Sequence, residues 1–479
     1  MPHPLKRLVT GIPGLDTVLS GGFVEGASYI IQGHPGAGKT IFANQIAYSS
    51  VARGKRVLYV TLLAETHDRL FQSLSTLDFF DRTKLGNGIA YVSVFQTLRQ
   101  EGLSAVVSLL RQETARQKAD ILVFDGLLNA RDNATSDLDV KTFVAEVQSQ
   151  AAFVGCTVLF LTSASSVSDS PEYTMVDGVV ELREQTIGAR ALRRLQVRKS
   201  RGSAALGGYH KYEITSAGVS VYPRLEAALA KSGIPQSRVD VTAVTSGIEG
   251  LDRLLGGGLP SGSVTLLYGP SGSGKTSFGL SFLSQCSPAE PALHFGFYES
   301  PDRLALKAKA IGRDLSACLE SGALDMLWQP LTENLLDKLA YRLLDAVEAN
   351  STRRLFIDGF SGFARSAAFP ERLPEFFAAL TNELRAKGVT TVASWELREL
   401  AGVAVASPDT ELSSLLDNLV LLRNVDLNGD FKRLISVVKV RDGHSDSTVH
   451  EVIIGQKGLE ITSAFHATSA ITATGRAAY

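Results

Sequence analysis

Short apolar runs alternate with helical patterns along the whole chain, and this alternation predicts its architecture. The runs occupy residues 29–31, 56–61, 121–126 and 157–161 in the first half, and residues 264–268, 292–297, 355–359 and 390–394 in the second. Between them, apolar residues recur with helical spacing, for example across residues 41–46 and 278–283. Unbroken apolar strands of this kind are typical of parallel sheets that are covered on both faces. We therefore predict an α/β fold of mostly parallel sheets flanked by helices.

The series of motifs occurs twice, which predicts two tandem domains. Residues 10–16 (Thr-Gly-Ile-Pro-Gly-Leu-Asp) return as residues 246–252 (Ser-Gly-Ile-Glu-Gly-Leu-Asp), each a short distance before a glycine-rich loop. A chain of 479 residues exceeds one ordinary core and accommodates two. The predicted division is a first domain over residues 1–224, a linker over 225–242, a second domain over 243–463 and a flexible tail over 464–479.

Two glycine-rich loops match the pattern G-x-x-x-x-G-K-[ST] in full, each between a predicted strand and a predicted helix. Their residues are Gly33, His34, Pro35, Gly36, Ala37, Gly38, Lys39 and Thr40 in the first copy, and Gly269, Pro270, Ser271, Gly272, Ser273, Gly274, Lys275 and Thr276 in the second. Glycines let the backbone curl so that successive N–H groups face one anion, and the helix adds its positive N-terminal end. We predict two triphosphate sites, with the lysines reaching the β- and γ-phosphates.

Magnesium ligands are predicted beside each loop. Thr40 and Thr276 supply a hydroxyl that is placed to ligate Mg²⁺. Asp125 and Asp358 each end a buried apolar strand, where an acid is expected to assist the metal or its water. A strand-end acid can also be only a helix cap, but its duplication favours the metal role.

Hydrolysis also needs a group that orients or deprotonates water. Glu65 and Glu299 end the second strand of each copy and are the candidates. The alternative is that each is simply an acid at the N-terminus of the helix that follows.

Composition narrows the class of protein. Apolar residues make up 44% and charged residues 20%, as in globular proteins, and the net charge of −1 gives no reason to expect nucleic-acid or acidic-membrane binding. We interpret the three dispersed cysteines as buried apolar residues in a reducing compartment. The sequence shows neither an apolar signal core nor a run long enough to span a bilayer, so the cytoplasm is the expected location.

These motifs resemble the KaiC family of RecA-like ATPases, which includes circadian-clock ATPases and autokinases, from Thr10 to about Leu459. The resemblance implies two tandem RecA-like P-loop NTPase domains. It also implies a two-tiered homohexameric ring that binds ATP and Mg²⁺ where neighbouring subunits meet, and reports its state to a protein partner. The family has two adjacent glutamates at the end of the second strand, with the first as the favoured base. Here Ala64 and Tyr298 take that first place, and Glu396 is a further candidate in the second domain.

The resemblance also implies that a basic pair from a neighbouring subunit completes each site. The matching residues are Lys199 and Arg201 in the first domain and Lys439 and Arg441 in the second. Such cations would stabilise charge developing on the γ-phosphate and make turnover depend on assembly. The alternative is that they are solvated charges on an edge strand.

Autophosphorylation is a further implication for the second domain. Ser413 and Ser414 align with the family's phosphorylated pair, whereas residues 171–178 of the first domain offer no comparable serine pair. Two serines beside a helix also occur for capping or packing reasons. Residues 464–479 do not resemble the family's long C-terminal extension.

Three functions therefore remain in view. The leading prediction is a Mg-ATP-dependent signalling ATPase with autokinase activity in its second domain. The next is a nucleotide-gated scaffold with little hydrolysis, which the Ala64 and Tyr298 departures favour. A DNA-handling ATPase is the third, and the near-neutral charge and the lack of a basic–aromatic loop argue against it.

Overall fold

The computed structural model describes residues 5–62, 67–127, 137–163, 171–230, 242–332, 334–397, 415–427, 430–441 and 446–464. The chain divides into two compact units, Met1–Ala228 and Leu229–Tyr479. Each unit is built around its own sheet, and the two sheets have the same strand order. The predicted fold class is confirmed.

In the first unit, the described residues form a nine-stranded sheet of order β11-β10-β9-β8-β3-β7-β6-β4-β5 and a small β1–β2 ladder. The strands are β1 (Arg7–Leu8), β2 (Phe23–Val24), β3 (Ser28–Gly33), β4 (Val57–Thr61), β5 (Ile89–Ser93), β6 (Ile121–Asp125), β7 (Thr157–Ser163), β8 (Gly178–Ile187), β9 (Arg190–Ser200), β10 (Tyr209–Thr215) and β11 (Gly218–Tyr222). Six neighbouring strands pair in parallel, in the spatial order β5-β4-β6-β7-β3-β8. Beyond β8, the strands β9, β10 and β11 extend the sheet with antiparallel pairing.

The helices of the first unit cover both faces of this sheet. They are α1 (Leu15–Val18), α2 (Lys39–Ala52), α3 (Asp68–Leu74), α4 (Phe95–Glu101), α5 (Leu103–Gln117), α6 (Asp137–Phe153) and α7 (Leu225–Leu229). Alternate strand residues enter opposite cores: Ile31 packs in the cluster that contains Phe42 of α2, and Ile30 packs in the cluster that contains Val144 of α6. This double burial explains why the strands are apolar without a break.

The second unit repeats the arrangement with a nine-stranded sheet of order β16-β15-β17-β18-β14-β19-β20-β21-β22 among its described residues. Its strands are β12 (Ala243–Val244), β13 (Leu259–Pro260), β14 (Val264–Pro270), β15 (Ala292–Gly296), β16 (Leu324–Trp328), β17 (Arg354–Asp358), β18 (Thr390–Leu397), β19 (Asn418–Leu427), β20 (Asp430–Val440), β21 (His450–Gly455) and β22 (Gly458–Ala464). Its helices are α8 (Glu249–Leu254), α9 (Lys275–Leu283), α10 (Pro301–Ala310), α11 (Ser316–Glu320), α12 (Leu336–Ala349), α13 (Ser361–Ser366) and α14 (Leu373–Ala386).

The topology places the candidate chemistry at one end of each sheet. The chain leaves β3 and β14 at their carboxyl ends and enters the glycine-rich loops there. Each of these strands lies between two parallel neighbours, β7 and β8 in the first unit and β18 and β19 in the second. Ligands of open α/β sheets bind in such a crevice at the carboxyl ends of the strands.

The structure bears on two further sequence predictions, which concern the burial of the cysteines and the membrane-spanning potential of the helices. Cys156 is buried, but Cys286 and Cys318 are only partly buried, so the interpretation of all three as buried core residues was wrong for two of them. Within the described part of the chain, no helix combines the length and apolarity that crossing a bilayer would need.

Candidate nucleotide-binding sites

Both glycine-rich loops have a backbone shape that only glycine adopts without strain. Gly38 directly precedes α2 with φ near +88°, and Gly274 directly precedes α9 with φ near +99°. A methyl group on Gly38 would lie 2.3 Å from Ile214 Cδ1, and one on Gly274 would lie 2.6 Å from Ile454 Cδ1. A residue from the antiparallel part of each sheet thus packs against the loop at its glycine, where a side chain would not fit.

The loop lysines fold back over the loops they follow. The Lys39 ammonium donates to the carbonyl oxygens of Gly33 (2.7 Å) and His34 (3.1 Å). Lys275 does the same to Gly269 and Pro270, at 2.7 Å each. Burial lowers the pKa of both lysines, and neighbouring carboxylates oppose that shift. Each ammonium is therefore held within the concave side of its loop. There, charged phosphate oxygens would replace the neutral carbonyl oxygens as its hydrogen-bond acceptors.

In the first site, the predicted metal ligands lie together. Thr40 Oγ1 donates to Asp125 Oδ2 at 3.1 Å, and the Tyr59 hydroxyl donates to the same oxygen at 3.2 Å. Burial raises the pKa of Asp125, while these two hydrogen bonds and Lys39 lower it. The carboxylate therefore lacks a full counter-charge in a buried setting, which suits a cation.

The second site has the same acid with a different partner. Ser394 Oγ donates to Asp358 Oδ1 at 2.8 Å. Burial raises the pKa of Asp358, and hydrogen bonds from Ser394 and Thr276 oppose the rise. The predicted ligands Thr276 and Asp358 are thus brought together, as Thr40 and Asp125 are.

These donor sets fit a magnesium–triphosphate complex. Thr40 with Asp125, and Thr276 with Asp358, offer the hard oxygen ligands that Mg²⁺ prefers, and Mg²⁺ typically takes only one or two protein oxygens beside phosphates and water. The loop N–H groups and the start of the helix offer the anion site.

A cleft of about 440 Å³ surrounds the second loop. Lys275, Glu299, Lys307, Asp358 and Glu396 all line it. It is large enough to admit the phosphate end of a nucleotide and is lined by both signs of charge.

Glu299, the predicted base of the second site, is ion-paired. Its Oε1 lies 2.8 Å from Lys307 Nζ of α10. Both side chains are about one-third exposed, so the pair is accessible from the cleft. Glu396 lies on β18 opposite Gly269 in the sheet register and also faces the cleft, so both acids share one site.

Tyr298, which replaces the family's first glutamate, packs beside the end of β17, where Asp358 is followed by Gly359. A methyl group on Gly359 would lie 2.4 Å from Tyr298 Cε2, so the ring lies directly over this glycine. The ring also faces the Arg365 guanidinium, 5.7 Å from its centroid, and the hydroxyl is 3.4 Å from Ser361 Oγ. An aromatic ring therefore stands where a second carboxylate would otherwise be.

Each predicted basic pair lies at the far end of its own sheet. Lys199 pairs in register with Val179 near the start of β8, and Lys439 pairs with Leu419 near the start of β19. The glycine-rich loop begins at the other end of the adjacent strand β3, whose six residues span roughly 17 Å. The pairs therefore do not join the loops of their own domains.

Three predicted residues have no structural description. Glu65, Ser413 and Ser414 lie outside the described residues. Their roles stay predictions.

The structure adds site residues that sequence reasoning missed. Tyr59 donates to Asp125 and Ser394 donates to Asp358, and Lys307 pairs with the candidate base. Arg433 Nε donates to the Gly272 carbonyl at 3.1 Å and so holds the second loop. Among these four residues, Lys307 is the one whose role the sequence could have indicated, because it lies only eight positions after Glu299, two turns into helix α10. Tyr59, Ser394 and Arg433 lie on strands that are distant in sequence from the groups they contact.

Comparison with known proteins agrees with this geometry. A family model described as "ATPase: KaiC" matches residues 8–226 and again residues 244–465. The circadian clock protein KaiC3 of Synechocystis sp. is 25% identical over 98% of this chain and 94% of its own length. The circadian clock oscillator proteins KaiC of Parathermosynechococcus lividus and Synechococcus elongatus are each 24% identical over 96% of this chain, and over 86% and 90% of their own lengths.

The two family matches coincide with the two sheets, and each contains one glycine-rich loop with its threonine and strand-end aspartate. The chain therefore belongs to the KaiC family of ATPases, with one family domain in each half.

Proposed function

We propose that this protein is a Mg²⁺-dependent ATPase that works as a two-tiered homohexameric ring and reports its nucleotide state to a protein partner. The observation that carries the proposal is the pair of loops in which a lysine, a threonine and a buried aspartate converge. Relatives named as circadian clock proteins support a signalling role.

Phosphate binding follows from the loop geometry. The backbone N–H groups and helix N-terminus hold the triphosphate, and Lys39 or Lys275 exchanges its carbonyl partners for phosphate oxygens. Thr40 with Asp125, and Thr276 with Asp358, hold the metal. Bound Mg²⁺ supplies charge neutralisation on the β- and γ-phosphate oxygens.

Completion of each site by a neighbour explains the position of the basic pairs. Lys439 and Arg441 lie at the end of the sheet remote from the loop of their own domain, and the proposal assigns them to a nucleotide held by a neighbouring chain. Lys199 and Arg201 are placed in the same way in the first domain. A closed ring of identical chains gives every loop one such pair.

Glu299 is the group that would receive a proton from the attacking water in the second domain. Its pairing with Lys307 holds the carboxylate in the cleft. Glu65 is the corresponding base in the first domain. Slow turnover is expected because Ala64 and Tyr298 take the place of the family's favoured base.

Replacing both bases tests the enzymatic proposal. The Glu65→Gln/Glu299→Gln double variant is expected to lose roughly 100-fold or more of the ATP turnover, because a positioned general base contributes about 10²- to 10⁴-fold. Phosphate release from assembled, full-length protein measures this. Glu249→Gln, a change of an exposed glutamate on α8, is the matched control and should retain turnover.

A nucleotide-gated scaffold is the second candidate, and Tyr298 favours it because a ring packs on Gly359 where the family has its favoured base. If wild-type protein released phosphate no faster than buffer while still binding ATP, the scaffold would replace the ATPase as the function.

Autokinase activity is proposed for the second domain on the family resemblance and on the aligned serine pair. The Ser413→Ala/Ser414→Ala variant is expected to lose all protein-bound label after incubation with γ-labelled ATP, because both acceptor hydroxyls are gone. Gel autoradiography and intact mass are the measurements, and Ser366→Ala, a change of a buried serine on α13, is the control. Labelling equal to that of the wild type would remove both serines as acceptors.

A further inference from the structure

The arginine of each basic pair is tied to an aspartate that directly precedes the neighbouring strand. Arg441 Nη1 lies 3.1 Å from Asp417 Oδ1, and Arg201 Nη1 lies 3.9 Å from Asp177 Oδ1. The backbone repeats the link, since the N–H of each arginine donates to the carbonyl of the same aspartate, at 3.0 Å and 2.8 Å. The backbone link is thus the same in both domains, and the side-chain ion pair is closer in the second domain.

The other carboxylate oxygen of each aspartate holds the strand that leads to the glycine-rich loop. Asp417 Oδ2 accepts from the Val264 N–H at 2.9 Å, and Asp177 Oδ2 accepts from the Ser28 N–H at 2.9 Å. Val264 and Ser28 are the first residues of β14 and β3. One carboxylate therefore connects a subunit's own loop strand with the arginine that points away from it.

A β-bulge precedes the basic pair in both domains. The register of β8 and β9 shifts between Val179 and Val180, and that of β19 and β20 shifts between Leu419 and Val420. The extra residues are Arg198 and Val438, directly before Lys199 and Lys439. Bulges of this kind re-aim the side chains that follow them.

The lysines are anchored next to the bulges. Lys199 Nζ donates to the Tyr173 carbonyl at 2.9 Å, and Lys439 Nζ donates to the Leu416 carbonyl at 2.8 Å. Each lysine therefore ties its strand to the segment that leads into the aspartate.

Exposure shows that the aspartate is the fixed end of the ion pair in the second domain. The Asp417 side chain is 9% exposed and that of Arg441 is 46% exposed. Asp417 also receives Arg385 Nε of α14 at 2.9 Å, which fixes it further. The carboxylate is thus a buried anchor with an outward-reaching guanidinium.

We propose that Asp417, and by the same geometry Asp177, is a positioning residue that aims the arginine of its own subunit at the nucleotide of the neighbouring subunit. This inference rests on the proposed role of the basic pairs in completing a neighbour's site. The aspartate touches no substrate. It sets the direction of Arg441 or Arg201 and couples that direction to the strand that carries the subunit's own loop.

A purely structural role predicts a different result from a positioning role. If Asp417 served only to hold β14, its loss would damage the loop of the same chain. If it aims Arg441, its loss would damage the site of the next chain and leave its own loop competent. Mixed rings separate these two cases.

The test mixes Asp417→Asn chains with Lys275→Ala chains before ATP-dependent assembly and measures phosphate release. Asp417→Asn alone is expected to lower second-domain turnover roughly 10- to 100-fold, because a small misplacement of a catalytic group costs about that much. In the mixture, an intact loop can meet an intact Asp417–Arg441 unit at about a quarter of randomly formed interfaces. Turnover should therefore rise above the mean of the two separate preparations.

Controls make the outcomes distinct. The mixture of Arg441→Ala chains with Lys275→Ala chains must also show turnover above the mean of its two separate preparations. Asp325→Asn, which removes an exposed carboxylate from the same domain, should by itself retain wild-type turnover. Recovery with Arg441→Ala but not with Asp417→Asn would overturn the positioning role and leave the proposed function intact. Failure of both mixtures would overturn the completion of sites by neighbours and this inference with it.

A conservative variant covers the case in which Asp417→Asn does not fold. Asp417→Glu keeps the charge but displaces it by one methylene, and we expect intermediate turnover with recovery in the mixed ring. Wild-type turnover in Asp417→Glu, or a loss of turnover that the mixed ring does not restore, would contradict the proposal.

Discussion

Lys39→Ala is expected to weaken ATP binding by the first domain roughly 10- to 150-fold, since charge-assisted hydrogen bonds contribute about 1.5–3 kcal/mol. Lys39 is the ammonium held inside the first loop by the Gly33 and His34 carbonyls, so its removal deprives the phosphates of their nearest cation. Because the nucleotide is proposed to bridge subunits, ring formation should fail together with binding.

Fluorescent-nucleotide titration and sedimentation velocity with and without Mg-ATP measure both effects. Lys55→Ala is the matched control: Lys55 pairs with Glu25 at 3.0 Å in the same unit, and its loss should leave affinity and assembly unchanged. Lys39→Ala chains that assemble normally with ATP would show that nucleotide in the first domain does not bridge subunits.

Arg441→Ala is expected to lower the second-domain kcat by roughly 10³-fold or more, the range seen when an arginine that stabilises phosphoryl-transfer charge is lost. Arg441 extends outward from Asp417 at the end of the sheet remote from its own loop. The affinity of that loop for ATP should therefore change little, which separates Arg441→Ala from Lys275→Ala.

Steady-state phosphate release gives kcat and KM for this comparison, and first-domain turnover is removed by subtracting the rate of Lys275→Ala protein. Arg253→Ala, which removes an exposed arginine that pairs with Glu249 at 3.0 Å, should behave as wild type. A fall in ATP affinity of the same size as the fall in turnover would place Arg441 in its own loop's site instead.

The sequence predicted the parts of the site that are local along the chain. The loops could be recognised because lysine, threonine and glycines are contiguous, and the backbone at Gly38 and Gly274 has the positive φ that the pattern requires. Asp125 and Asp358 could be placed because parallel strands end at a common edge. These predictions needed no knowledge of which distant strands pair.

The parts that escaped prediction depend on register and on packing between distant segments. The bulge before Lys439 is visible only once β19 and β20 are paired, because a one-residue shift leaves no mark in the sequence pattern. Tyr59 reaches Asp125 from a different strand, and Asp417 reaches Val264 across 153 positions of sequence. The order of the antiparallel strands likewise follows from tertiary packing.

The two duplicated sites carry different residues at one buried strand position, and the sequence repeat alone does not predict this difference. Tyr59 and His294 occupy the same register position, opposite Val123 and Phe356. Tyr59 donates to Asp125, whereas His294 Nε2 has no hydrogen-bond partner among the described residues. Burial lowers the pKa of His294 to about 4. His294 is therefore neutral at physiological pH, and the two aspartates are supported by different donors.

Native mass spectrometry in the presence of Mg²⁺ and a non-hydrolysable ATP analogue tests the central claim most directly. The claim is that the two glycine-rich loops of each chain bind nucleotide where chains meet. It predicts a particle of six times the 51.2 kDa chain mass that carries two nucleotides per chain and dissociates when nucleotide is removed. A single chain that holds two nucleotides without a neighbour, or a ring that forms with no nucleotide at either glycine-rich loop, would contradict it.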